Sequence, residues 1–144
     1  MIILRGVLDL SLFYFRIDAN EGNPFMKPAL QPILKVNLST GTFSTYDPPA
    51  EWVRQFLGGA SLAARLLYDL LVPTLDPYDP RAPLLFMNGP LTGASGPAVG
   101  RFVICGLSPA TRLWGESNCG GFWGPELRQA GFDGLWVEGR AGAP

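Results

Sequence analysis

Two glycine-rich stretches, Asn88–Gly100 and Asn118–Gly124, lie on either side of a short apolar segment, Arg101–Leu107. Glycine lets a backbone turn sharply and lets a ligand approach the main chain, while exposing N–H groups. Two such loops next to one strand restrict the chain to a sheet with long connections at one end. They also nominate that end as a place where a phosphate-bearing ligand could be held. Glycine-rich turns between strands more often serve geometry alone. Neither loop is a nucleotide fingerprint. The first has no Lys-Ser/Thr after its glycines, as a P-loop requires. Gly58–Ala63 lacks the third glycine of a dinucleotide-binding turn and follows a helical run instead of a strand.

The remaining pattern is short-ranged. Ile33–Leu38 alternates, Ser39–Gly41 reads as a turn, and Thr42–Tyr46 returns, which predicts a β-hairpin. Pro48-Pro49 opens a helix whose apolar face is Trp52, Val53, Phe56 and Leu57. Gly58-Gly59 interrupts it. Leu62, Ala63, Leu66, Leu67, Leu70 and Leu71 continue at helical spacing until Pro73. Asp76–Pro83 is a proline-rich connector. Leu84–Met87 and Arg101–Leu107 read as strands, Pro125–Ala130 as a short helix capped by Gly131, and Leu135–Glu138 as a last strand. No βαβ alternation appears, so the expected class is α+β with mainly antiparallel sheet and one or two helices. A strand so near the chain's end leads to the expectation of a further strand beside it, and of a chain cut short.

Residues 1–32 stand apart as a poorly matched extension, with 33–144 as one domain. Leu8–Phe15 is expected as a first strand, with Met26 as an alternative translation start. Its apolar runs are broken by Arg5, Asp9 and Arg16, too short for a membrane span and poorly ordered for a signal peptide. The expected location is cytoplasmic.

Composition removes several function classes. The chain of 144 residues has no histidine, so no His-based triad forms within it. Its net charge is −1 without a basic stripe, which argues against nucleic acid as a partner. Cys105 and Cys119 are too few for a zinc or iron–sulfur site and read as free thiols. Charged residues are only 16%, which suggests a surface partly covered by something else.

Arg101, at the start of a strand after the first loop, has the chemistry to clamp a phosphate, against the commoner alternative of pairing with a surface carboxylate. Asn118 can donate and accept at a ring edge, or bond its own turn. Phe122, Trp123 and Trp114 are candidates for ring stacking, though aromatics are more often core. Glu116, Glu126 and Glu138 show no acid–base spacing, so no catalytic residue is assigned.

Taken in order, Leu34–Gly41, Phe56–Gly59, Leu62–Tyr68, Gly89–Gly93, Gly100-Arg101, Ser117–Leu127, Ala130–Asp133 and Val137–Gly139 resemble the N-terminal domain of the aldehyde:ferredoxin oxidoreductases. The resemblance covers 33–144. It implies a truncated form of that domain, serving as base for a tungsten (or molybdenum) bis-pyranopterin. It implies contacts from Arg101, Asn118 and Gly120, with Arg101 between the pterin and a [4Fe–4S] cluster ligated outside this chain. It also implies oxidation of aldehydes to carboxylic acids with ferredoxin as acceptor. Missing C-terminal domains or a complementary subunit would complete the enzyme, and a homodimer is among the expected assemblies. The 144-residue chain alone is expected to be inactive, and a non-catalytic cofactor-binding module or a gene relic is the alternative. Ala60, where many members have arginine, Cys119, where a serine is common, and Ala110–Trp114, in place of a more usual turn, depart from the pattern. They leave the substrate subfamily open.

Overall fold

The computed structural model describes residues 30–70, 74–94 and 96–142. The strand expected at Leu8–Phe15, the alternative start at Met26 and the end of the second helical run at Leu71–Pro73 lie outside them. Nine elements follow in order: β1 (Ile33–Asn37), β2 (Thr42–Tyr46), α1 (Ala50–Phe56), α2 (Gly59–Leu70), β3 (Leu84–Asn88), β4 (Phe102–Leu107), β5 (Trp114–Cys119), α3 (Trp123–Gln129) and β6 (Gly134–Glu138). The strands form one six-stranded sheet in the order β2-β1-β6-β3-β4-β5. Every pairing is antiparallel except β1 with β6. The class is the expected α+β.

The hairpin forms where the alternation placed it. Asn37 Oδ1 accepts from the backbone N–H of Ser39 at 3.0 Å and of Thr40 at 3.2 Å, and Gly41 completes the turn at φ 65°. α1 begins at Pro49, whose carbonyl accepts the Val53 N–H. It stops where Leu57 takes φ 62°, a left-handed conformation that no helix continues. α2 then lays Leu62, Ala63, Leu66 and Leu67 against β3 and β4, where they join Ile33, Leu85, Met87, Val103, Cys105 and Trp136 in the core. Each such leucine contributes about 1.5–3 kcal/mol by leaving water. The outer face of α2 carries the Arg65–Asp69 ion pair at 2.7 Å, and the Arg65 guanidinium lies 3.9 Å over the Trp52 ring, tying α1 to α2.

Two expectations are corrected. β6 does not wait for a further strand. It is interior, paired with β1 on one side and β3 on the other. Sequence order hid this, because the parallel partner comes from the far end of the domain. The second correction is β5. The glycine-rich sequence predicts a loop at Asn118 and Cys119, yet they close a strand that pairs with β4 from Trp114↔Leu107 to Cys119↔Phe102. As an edge strand it is mostly exposed, so it needs no apolar alternation.

Strand alternation sends Leu85, Met87, Val103 and Cys105 toward α2 and leaves Leu84, Phe86, Phe102 and Ile104 on the opposite face. There α3 covers one end: Trp123 packs 4.5 Å from the Phe102 ring and 5.4 Å from the Phe86 ring, centroid to centroid. The other end is a shallow apolar groove over Ile104, Gly106 and Gly115, with Leu84 43% exposed beside it. Among the described residues no helix is long and apolar enough to cross a membrane.

Candidate functional site

The site is built where three glycine segments meet at one end of the sheet. β3 ends at Asn88, fully buried, and the chain turns out through Gly89–Gly100. Gly58, between the two helices, lies against this turn: a Cβ there would stand 3.1 Å from the Asn88 carbonyl oxygen and 3.5 Å from Pro90 Cδ. The second loop approaches from the other side. A Cβ on Gly100 would stand 2.6 Å from the Gly121 carbonyl oxygen, and one on Gly124 would stand 2.9 Å from Asn88 Oδ1. The glycines are needed because the backbones touch. The two glycine loops therefore meet at this end of the sheet.

A buried polar network holds the first loop. The Asn88 amide Nδ2 donates to the Gly124 carbonyl at 2.9 Å, and the Asn88 N–H donates to the Asp133 carbonyl at 2.9 Å. Arg128 of α3, 5% exposed, forms an ion pair through Nε with Asp133 Oδ1. Its Nη1 donates to the carbonyls of Pro90 at 3.0 Å and Thr92 at 2.8 Å. Asp133 Oδ2 accepts the Gln31 N–H at 2.8 Å. The Thr92 hydroxyl accepts from the Gly89 N–H at 3.0 Å and donates to the Arg101 carbonyl at 2.8 Å. Isolated charges this deep would be costly, and here both members of the pair have further hydrogen bonds.

Arg101, Asn118 and Gly120 come together at the rim of this frame. Arg101 Nε donates to Asn118 Oδ1 at 2.6 Å, and its Nη2 reaches the Asn118 carbonyl at 3.4 Å. A Cβ on Gly120 would lie 3.7 Å from Arg101 Nη1, in van der Waals contact, so Gly120 stands directly beside the guanidinium. Among the described residues the guanidinium pairs with an amide and not with a carboxylate, so its positive charge is uncompensated. All three residues are exposed. The space beside Gly121, which has φ 108°, is open, with nothing within 4 Å of where a Cβ would stand. A fixed cation next to exposed backbone is an arrangement that binds anions.

The other candidates separate. Trp123 is packed on Phe86 and Phe102. Trp114 starts β5, at the opposite end of that strand from Asn118. Phe122, 85% exposed, stays beside the second loop. Glu138 is bonded to Asn37, Trp136 and Lys35, a structural role. Both cysteines are free. Cys105 is buried in the core, and burial, with Glu116 nearby, pushes its thiol up to about 12. Among the described residues no group of three or more His, Cys, Asp or Glu is placed to hold a metal ion.

Residues 33–144 match the family model for the aldehyde ferredoxin oxidoreductase, N-terminal domain. The chain belongs to this family. The tungsten-containing aldehyde ferredoxin oxidoreductase of Pyrococcus furiosus is 40% identical over 111 residues, 77% of this chain and 18% of that protein. Its counterpart from Pyrococcus horikoshii is 39% identical over 112 residues, again 18% of the relative. Among solved structures, the active site complex BamBC of benzoyl coenzyme A reductase, in complex with 1,5-dienoyl-CoA, superposes with a TM-score of 0.75 at 31% identity. That match covers 78% of this chain and 17% of the other. The chain thus spans less than a fifth of the curated relatives it matches.

Sequence reasoning missed the buried network. In the sequence Asn88 and Thr92 are only parts of a glycine-rich loop, and Arg128 only a position in a short helix. The available signal was a lone arginine followed, across the Gly131 cap, by Asp133 just before an apolar strand.

Proposed function

We propose that this chain is the cofactor-holding base of a tungsten-containing oxidoreductase that converts aldehydes to carboxylic acids and passes the electrons to ferredoxin. The observation that carries the reading is the exposed Arg101 guanidinium, locked by Asn118 beside Gly120 where the two glycine loops touch.

The residues fit a tungsten (or molybdenum) bis-pyranopterin. Such a group brings phosphates and hydrogen-bonding ring edges, and asks the protein for a fixed cation, free amide donors and close backbone approach. Arg101 supplies the first. Asn118 Oδ1 is occupied by Arg101, which leaves its Nδ2 to donate to the ligand. Gly120 admits the ligand next to the main chain. When bound, the cofactor supplies the oxygen-transfer and two-electron chemistry, and the protein binds, orients and tunes it. Arg101 would then be the residue of this chain that faces both the pterin and a [4Fe–4S] cluster ligated by cysteines outside it. Its positive charge favours the reduced, more negative form of each. Further domains or a companion subunit complete the enzyme, a reading supported by relatives of which the match covers only 18%.

A second reading follows from the solved neighbour, a reductase complex holding a dienoyl-CoA. The same base would then serve reduction of a coenzyme A thioester. The aldehyde relatives, at 39–40% identity against 31%, favour the first reading. The test is to purify the native protein with whatever copurifies, measure tungsten and molybdenum by mass spectrometry, and assay aldehyde-dependent reduction of ferredoxin. Near-stoichiometric metal with that activity is expected. Metal with activity only on a coenzyme A thioester selects the second reading, and absence of both metals sinks the two together.

A further inference from the structure

Arg101 has its side chain at the surface, yet its main chain is held from inside. Its carbonyl accepts the Thr92 hydroxyl at 2.8 Å, and Thr92 is only 4% exposed. Thr92 is itself held at three more points. Its hydroxyl accepts the Gly89 N–H at 3.0 Å, its N–H donates to the Gly89 carbonyl at 3.1 Å, and its carbonyl accepts Arg128 Nη1 at 2.8 Å. Above this joint the loop is closed once more by the Gly93 N–H on the Val99 carbonyl at 2.8 Å. The result is a pinched loop whose exit sets where β4 begins and therefore where Arg101 leaves the sheet. At the base of the joint, Arg128 is paired with the fully buried Asp133, which also holds Gln31. A continuous hydrogen-bonded path runs from Asp133 through Arg128 and Thr92 to Arg101 and on to Asn118.

We propose that Thr92 is a positioning residue for Arg101, with the buried Arg128–Asp133 pair as its anchor, so that this inner network sets how well the site retains its cofactor. The inference rests on the reading that Arg101 holds the cofactor. Physically, the guanidinium is exposed and its side-chain partner is one amide. A phosphate or ring contact demands placement to within a fraction of an ångström, and that precision has to come from the layer beneath. A hydroxyl that accepts one bond and donates another fixes two backbone points at once, which a methyl cannot do.

The experiment uses the full-length native polypeptide, with metal per folded protein after gel filtration as the readout. Thr92→Val removes both hydroxyl bonds at nearly constant volume, and Thr92→Ser keeps them. Leu66→Ala, about two turns into α2 in the core, controls for simple loss of stability. Arg101→Met tests the underlying reading. We expect Thr92→Val to retain about tenfold less tungsten, the scale of one or two hydrogen bonds, with Thr92→Ser restoring it and Leu66→Ala loading normally. Full loading in Thr92→Val, loss without restoration by Thr92→Ser, or equal loss in Leu66→Ala overturns the positioning role. If Arg101→Met loses the cofactor while Thr92→Val keeps it, only this inference falls. If Arg101→Met keeps it, the reading beneath falls as well. Should Thr92→Val fail to fold, Arg128→Lys applies the same criterion. It keeps a charge for Asp133 but lacks the forked donors that reach Pro90 and Thr92, so its loading must also drop about tenfold or the proposal is wrong.

Discussion

Gly100→Ala tests whether the two loops touch as described. The added methyl would sit 2.6 Å from the carbonyl oxygen of Gly121, so the loops must part by about 0.4 Å even to reach 3.0 Å, a separation real Cβ contacts essentially never undercut. The obstacle is backbone, so no rotamer change relieves it. Overpacking of this kind costs about 1–3 kcal/mol. Replacing glycine with alanine returns about 0.4–1 kcal/mol by restricting the unfolded chain. The net expectation is a loss of about 1–2 kcal/mol, and for a chain of this size a fall in melting temperature of roughly 3–8 °C. Gly96→Ala is the internal control. It lies in the same loop, its Cβ would be 3.9 Å from Val99 Cγ1, and it is under no positive-φ constraint. That variant should melt at or slightly above the parent in differential scanning calorimetry. If Gly100→Ala melts as high as Gly96→Ala, the loops do not meet there and the site geometry is wrong.

Three further outcomes follow from the buried groups. Asp133→Ala should cost about 1–3 kcal/mol in denaturant unfolding, because it takes away the carboxylate that the buried Arg128 Nε and the Gln31 N–H both bond; a loss below about 0.5 kcal/mol would refute the role of the pair. In the folded protein iodoacetamide should modify Cys119 well before Cys105, whose thiol is buried and pushed up to about 12, and equal labelling would refute the core assignment. Because the Cys105 value is raised from 9.0, its contribution to stability is complete below about pH 9 and is lost as pH rises toward 12, so Cys105→Val should flatten that alkaline decline in a pH–denaturation series.

The local elements were legible because local rules determine them. The hairpin followed from alternation around Gly41, and α1 and α2 from helical spacing interrupted at Gly58-Gly59. The sheet order was not legible, since nothing near β6 announces that its partners are β1 and β3. β5 was hidden by being an edge: Glu116, Ser117 and Asn118 face solvent and carry the composition of a loop. The candidate site shows the same division. Arg101 and Asn118 stood out as polar residues beside glycines, and their hydrogen bond joins the beginning of β4 to the end of β5, as the strand register requires. Thr92, Arg128 and Asp133 did not stand out, because single polar residues in a sequence do not reveal that they are buried together.

On the proposed function, Arg101, Asn118 and Gly120 border the metal cofactor. Anomalous diffraction from crystals of the native protein, recorded on both sides of the tungsten absorption edge, tests this most directly. A tungsten peak is expected in the open space beside these three residues, or a molybdenum peak there at its own edge. A metal located elsewhere in the protein, or no anomalous peak for either metal, would contradict it.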